Sequence, residues 1–269
     1  MSYETIAVRR LSPKLGAEIG GVDLSRPMVP EQFAEIRRAL NENLVIFFRD
    51  QAMTPEQQMR FAGQFGPFYT HPAAPKRMAE HPEILVVHAD ANSTRIDGED
   101  WHSDNSCDTE PPMASVLHLL EVPPVGGDTL FSSMYAAYEA LSEPMKAMLD
   151  GMTAIHDGTR QYAGRYGTQA APRAEHPVFR THPETGRKAL FVNRIFTSHI
   201  VQLKKAESDA LLQFLFRHVE RPEFQYRFSW RPNSVAMWDN RSAQHCAIWD
   251  YFPERRHGHR VTIRGERPN

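Results

Sequence analysis

Apolar and polar positions alternate along this chain in two distinct regimes. In the first third they are mixed. Thr5–Leu11 reads as a strand, and Pro30–Asn43 reads as a helix, with Phe33, Ile36 and Leu40 on one face. Leu44–Phe48 is a short continuous apolar run, the pattern of a strand buried on both sides. Thr54-Pro55-Glu56-Gln57 has the form of a capping box with proline in the first turn, so a helix starts there. Beyond residue 80 the pattern becomes short apolar runs between turn clusters. These predict strands at Glu83–His88, Ala114–Leu120, Thr129–Phe131, His176–Thr181 and Lys188–Asn193, and then at Glu223–Ser229, Ser234–Trp238, Gln244–Ile248 and His259–Arg264. Two helical stretches interrupt them: Met134–Leu149, capped by Ser133, and Lys204–Val219, with a stripe of Leu211, Leu212, Leu215 and Val219. Many short strands with flanking helices predict a mainly β fold, a double-stranded β-helix or jelly roll, in a single domain over residues 1–269. Gly158–Glu175 has no clear period and reads as a lid or a surface loop.

Composition narrows the function. With 41% hydrophobic and 24% charged residues the chain is an ordinary globular one. Its 31 basic and 33 acidic residues leave a formal net charge of −2, which argues against a dedicated nucleic-acid partner. No apolar run approaches the length that spans a membrane, and Met1–Lys14 lacks a signal-peptide core, so the expected location is the cytoplasm. Two cysteines, Cys107 and Cys246, make no disulfide framework. Histidine is the unusual count, at 13, and imidazole is the commonest transition-metal ligand.

His-x-Asp in an extended segment turns both side chains the same way and supplies two metal ligands cheaply. The chain has two such pairs, His88-Ala89-Asp90 and His102-Ser103-Asp104, and spacing alone does not choose between them. The longer series does. Trp101-His102-Ser103-Asp104 is followed by Gly126-Gly127-Asp128-Thr129, then Trp238-Asp239-Asn240-Arg241-x-x-Gln244-His245, then Arg255-Arg256-x-x-His259-Arg260. Jointly these motifs resemble the taurine dioxygenase/2,4-dichlorophenoxyacetate dioxygenase family of Fe(II)- and 2-oxoglutarate-dependent enzymes, and the resemblance runs from about Ile6 to the C-terminus.

That resemblance implies the rest of the site. His102, Asp104 and His245 would ligate Fe(II), and the presence of Asp104 favours hydroxylation over halogenation. Thr129 and Arg256 would hold the far carboxylate of 2-oxoglutarate, the cosubstrate used with O2. Arg260 would grip an anionic substrate, with His71, Phe196 and Tyr162 around it. The taurine-type enzymes carry a tyrosine three residues after the histidine matching His71, where this chain has Ala74. They also carry an asparagine shortly before His-x-Asp, where this chain reads Arg95-Ile96-Asp97-Gly98-Glu99-Asp100. A larger organic anion than taurine is therefore expected: a sulfonate, alkyl sulfate or aryloxyalkanoate hydroxylated beside its heteroatom. Succinate and CO2 would be the co-products, and the product would collapse to a carbonyl compound.

Several readings complete the set. His257 and His259 are ordinary strand residues, Arg255 and Cys246 point away from the site, and Gly126-Gly127-Asp128 is a hairpin turn. Relatives are dimers or tetramers, so a homo-oligomer is expected, with Lys204–Val219 available to an interface. A zinc hydrolase on the same three ligands, or a non-catalytic jelly-roll binding protein, stands as the alternative; no His-Glu-x-x-His supplies a hydrolase base.

Overall fold

The computed structural model describes residues 2–70, 76–163 and 170–269. Fifteen strands and five helices follow one another among them. The N-terminal part is β1 (Ala7–Arg10), β2 (Ala17–Gly20), α1 (Pro30–Asn43), β3 (Val45–Phe48) and α2 (Pro55–Gly63). Next come β4 (Ile84–Ala89), β5 (Ala114–Glu121), β6 (Thr129–Ser133), α3 (Met134–Glu139), α4 (Glu143–Leu149) and β7 (Thr153–Asp157). The chain continues through β8 (Arg173–Pro177), β9 (Phe179–Thr181), β10 (Lys188–Leu190), β11 (Thr197–Ile200) and α5 (Lys205–Val219). It ends with β12 (Gln225–Phe228), β13 (Ser234–Asp239), β14 (Ala243–Ala247) and β15 (Arg256–Ile263).

A seven-stranded sheet in the order β1-β2-β3-β13-β5-β15-β4 is the frame, and a three-stranded sheet, β12-β6-β14, lies against one face. Period-two alternation explains how. Val45 and Phe47 of β3 and Ala236 and Trp238 of β13 enter the core between the sheets. Ile46, Phe48, Val235 and Met237, the intervening residues, enter a second core under α1 and α2, with Ile36, Leu40 and Phe61. Both faces of the central strands are buried, which is why β3 reads as an unbroken apolar run. Aromatic contacts bind the two sheets: Phe47 stacks on Phe228 at 3.9 Å between ring centroids and meets Phe131 edge-on at 5.6 Å. The remaining strands form a β11-β7-β8 sheet and a β9-β10 hairpin. Leu212, Leu215, Phe216 and Val219 of α5 join the inter-sheet core.

Helix α1 and the Thr54 capping box match the sequence expectation, with Thr54 accepting from the Gln57 N–H and the Gln57 side chain answering. Three expectations need correction. Met134–Leu149 is two helices, because Pro144 has no N–H to continue the first; Ser142 caps the second. His176–Thr181 is split at Val178, whose N–H bonds the Met152 carbonyl, so its halves belong to different sheets. Gly126-Gly127-Asp128 is not a hairpin turn: it lies on the connection that carries the chain from β5 in the large sheet to β6 in the small one. Part of the irregular Gly158–Glu175 stretch is ordered as β8, while 164–169 lie outside the described residues.

Phe47→Ala should destabilise the protein by about 3–5 kcal/mol, since it opens a cavity at the joint between sheets. Val125→Ala, at a position 82% exposed, should shift it by under about 0.5 kcal/mol. Urea unfolding of both variants checks the assignment of the joint; equal effects would contradict it.

Candidate functional site

Asp239 ends β13 and His245 lies in β14, and the tight turn between them, 240–242, is locked by buried charge. Asp239 accepts from Arg241 through both carboxylate oxygens, at 2.9 and 2.7 Å, and from His182 Nε2 at 3.0 Å. Burial alone would raise the Asp239 pKa, but Arg241 and then His182 hold it far below the ordinary carboxylate range. That lock presents Asn240. Its Oδ1 accepts from the Trp238 indole at 3.0 Å and from the Asp104 backbone N–H at 3.2 Å, and its carbonyl accepts from the Ser103 hydroxyl at 2.7 Å. One turn residue therefore ties the His-x-Asp segment to the strand pair that carries His245.

The second tie is backbone pairing. Residues 98–102 run antiparallel to β14: Ala247 N–H donates to Gly98 O at 2.8 Å, and His102 and His245 exchange both hydrogen bonds, at 3.1 and 2.9 Å. Their side chains are thereby placed face to face, with ring centroids 4.1 Å apart. Gly98 is required at this approach. Its φ is +86°, and a Cβ there would lie 3.0 Å from His102 Cε1.

His102, Asp104 and His245 are all buried, and each offers one ligand atom within 4.8 Å of the others. His102 Nε2 is 3.7 Å and His245 Nε2 3.8 Å from Asp104 Oδ1. His102 Nδ1 lies 2.8 Å from the Asp100 carbonyl, which fixes the tautomer and leaves Nε2 with its lone pair. Burial, then the neighbouring His102, keeps the His245 imidazole well below its ordinary pKa, in the neutral form that ligates metal. Burial opposes ionisation of Asp104 also, but the Arg260 guanidinium beside it outweighs that and holds the carboxyl well below its usual value. Arg260 Nη1 lies 3.1 Å from Oδ1, and the Ser115 hydroxyl donates to Oδ2 at 2.8 Å. His88 pairs with Asp90 at 3.3 Å, the other carboxylate oxygen of Asp90 accepts from the Asn92 N–H at 2.9 Å, and the two residues join no three-ligand group among the described residues. Of the two His-x-Asp pairs, His102 and Asp104 are the pair that stands in a three-ligand group among the described residues.

The three residues line a cavity with Thr129, Tyr162, Phe196, Arg256 and Arg260. A second cavity, about 620 Å³, shares with it Leu85, Val87, Asp97, Ala247, Arg256 and Arg260. Every expected site residue except His71 is thus brought to one chamber; His71 lies outside the described residues, as does Ala74. Arg256 is the notable member. It is 5% exposed, yet no carboxylate pairs with it among the described residues, and its Nε is buried without a partner. Its guanidinium carbon sits 5.6 Å from the Trp230 ring centroid. The Trp230 indole donates to Thr129 Oγ1 at 3.0 Å, which leaves the Thr129 hydroxyl proton to donate elsewhere. Burial raises the Tyr162 phenol well above its ordinary value, so that hydroxyl keeps its proton. Phe196 packs against Tyr162 at 5.8 Å between centroids. Arg255 faces outward and pairs with Glu121 at 3.1 Å. Sequence reasoning missed Asn240, Ser115 and Trp230; only the first stood inside a quoted motif.

Comparisons with known proteins find similarity along nearly the whole chain. The model of the "Taurine catabolism dioxygenase TauD, TfdA family" matches residues 7–262. The alpha-ketoglutarate-dependent sulfate ester dioxygenase of Pseudomonas putida is 34% identical over 276 residues, covering 97% of this chain and 90% of that protein. The alpha-ketoglutarate-dependent 2,4-dichlorophenoxyacetate dioxygenase of Cupriavidus pinatubonensis is 33% identical over 264 residues, covering 90% and 91%. The crystal structure of a taurine dioxygenase from Burkholderia xenovorans superposes with a TM-score of 0.89 at 38% identity, covering 98% of this chain and 91% of that one. The chain belongs to the taurine catabolism dioxygenase TauD, TfdA family and is a dioxygenase of that class. The hydrolase and binding-protein alternatives fall away. Among the described residues no helix is long and apolar enough to cross a membrane.

Asp239→Asn should cost up to about 3–5 kcal/mol at pH 7, because it takes the buried carboxylate from Arg241 and leaves it the partly buried Glu184. A carboxyl whose folded pKa is depressed contributes its stability above the unfolded value and loses it as pH falls through the folded one. The gap between wild type and variant should therefore be constant above about pH 5 and narrow in stronger acid. Urea unfolding across pH checks this; a gap that widens with acid would contradict it.

Proposed function

We propose that the protein is an Fe(II)- and 2-oxoglutarate-dependent dioxygenase, on a double-stranded β-helix core, that hydroxylates a small organic anion at a C–H beside its heteroatom. One observation carries the reading: a buried two-histidine, one-carboxylate cluster shares its cavity with a buried arginine that no carboxylate neutralises among the described residues. Two imidazoles and one carboxylate on one side of a cavity suit Fe(II) with open positions opposite. The donor set fits: His102 has its tautomer fixed by Asp100, and His245 is held neutral. When bound there with 2-oxoglutarate and O2, iron supplies oxidation of a C–H bond coupled to conversion of 2-oxoglutarate to succinate and CO2.

The protein's part is binding, orientation and exclusion of water. Arg256 would take the distal carboxylate of 2-oxoglutarate, a bidentate match for guanidinium, and Thr129 would add a hydroxyl donor. Arg260 lies four residues along the same strand. In the structure it neutralises Asp104; a divalent cation on that carboxylate would free its charge for the substrate. Phe196 and Tyr162 would form the apolar wall that chooses which C–H faces the metal. The adjoining second cavity supports a substrate larger than taurine, such as a sulfonate, alkyl sulfate or aryloxyalkanoate. Hydroxylation at a carbon bearing such a group gives a product that collapses to a carbonyl compound and releases sulfite, sulfate or a phenol.

Asp104→Ala should abolish substrate-dependent succinate release while circular dichroism shows a folded protein; retained turnover would sink the ligand assignment. Arg256→Ala should raise the half-saturating 2-oxoglutarate concentration by about tenfold or more, since it removes a charge-assisted bidentate contact. The substrate requirement should move far less. An unchanged 2-oxoglutarate dependence would relocate the carboxylate site.

A further inference from the structure

Asn105, the residue after Asp104, has φ +44°, in the left-handed region that few residues other than glycine adopt and that asparagine tolerates. It opens a turn in which Asp108 N–H donates to its carbonyl at 2.9 Å. The backbone alone would therefore account for an asparagine, or equally for a glycine. The side chain does something more. The Tyr162 hydroxyl donates a short hydrogen bond to Asn105 Oδ1. With Oδ1 committed as acceptor, the amide's two hydrogens on Nδ2 have no hydrogen-bond partner among the described residues. Asn105 lines the cavity together with Arg260 and Phe196. Arg260 and Asn105 thus both adjoin Asp104, one through a 3.1 Å contact and the other through the chain itself.

We propose that Asn105 is a specificity-determining residue, donating from Nδ2 to an oxygen of the substrate's anionic head group while Arg260 holds another. The proposal rests on the anion-hydroxylating reading above and deepens it. A head group with two or more terminal oxygens can take one bond at each. Tyr162 then acts as a positioning residue. Its hydroxyl sets the amide's orientation, so that the donor edge rather than the carbonyl meets the anion. The carbonyl would repel it.

The test is anaerobic calorimetry on the enzyme loaded with Fe(II) and 2-oxoglutarate, titrated with taurine, hexyl sulfate and 2,4-dichlorophenoxyacetate as probes. Steady-state KM and kcat are measured on whichever probe binds. Asn105→Gly keeps the left-handed backbone and removes only the amide. Its Kd and KM for the anion should rise about tenfold or more, the size of a lost hydrogen bond to a charged group. The effect on kcat should be much smaller, and the 2-oxoglutarate dependence, set at Arg256, serves as the control for an intact chamber. Tyr162→Phe should weaken binding in the same direction, and the double variant should bind no more weakly than Asn105→Gly alone. Wild-type affinity in Asn105→Gly would reduce Asn105 to a turn residue and overturn the inference. Additive losses would overturn the positioning role of Tyr162. If wild type binds none of the three probes, the anion reading itself fails and takes this inference with it.

Discussion

Asp104 is a carboxylate placed between two sheets, with its side chain 5% exposed, and much of the site follows from keeping that charge tolerable. A buried ion costs several kcal/mol unless opposite charge and hydrogen bonds surround it. Here the compensation comes from separate elements: Arg260 from β15 and the Ser115 hydroxyl from β5. Those elements must therefore hold their register. β15 pairs with β5 so that Arg260 lies opposite Leu117 and Thr262 opposite Ser115. A slip of one residue would turn Arg260 toward the helices and bring His259 inward.

The same strand shows how one alternation serves two chemistries. Arg256 and Arg260 line the cavities, while Val261 and Ile263 feed the core under α1 and α2. Gly258 permits the close approach of β15 to β5: a Cβ there would lie 2.2 Å from the His118 carbonyl. The two arginines are distinguished by their partners. Arg260 has Asp104, whereas Arg256 has an aromatic ring and no carboxylate among the described residues. A guanidinium buried with no anion in contact is suited to an anionic ligand, because burial without a counter-charge is costly.

Elements whose pattern is local were legible in the sequence. Helix α1, the Thr54 box and β3 each declare themselves by spacing or an unbroken apolar run. Strands β7 and β11 did not, because Thr153–Asp157 and Thr197–Ile200 are short and largely polar and pair with each other from far apart in the chain, and β2, Ala17–Gly20, is too short for its alternation to declare a strand. The hairpin expected at Gly126-Gly127 failed for a related reason. Turn chemistry marks a reversal but not which sheet the chain enters next. In the site, residue types with intrinsic chemistry were visible through the motif series. Asn240, Ser115 and Trp230 were not, since their roles rest chiefly on hydrogen bonds to residues 11 to 137 positions away.

If His102, Asp104 and His245 hold Fe(II) as proposed, in a chamber that also takes 2-oxoglutarate, metal and cosubstrate together should form a chelate there. Anaerobic titration of Fe(II) into the protein with 2-oxoglutarate would read it by the weak visible charge-transfer band of the chelate. The band should appear in the wild-type protein and be lost in His102→Ala. A folded wild-type protein that shows no band, or a His102→Ala variant that keeps it, would overturn these roles.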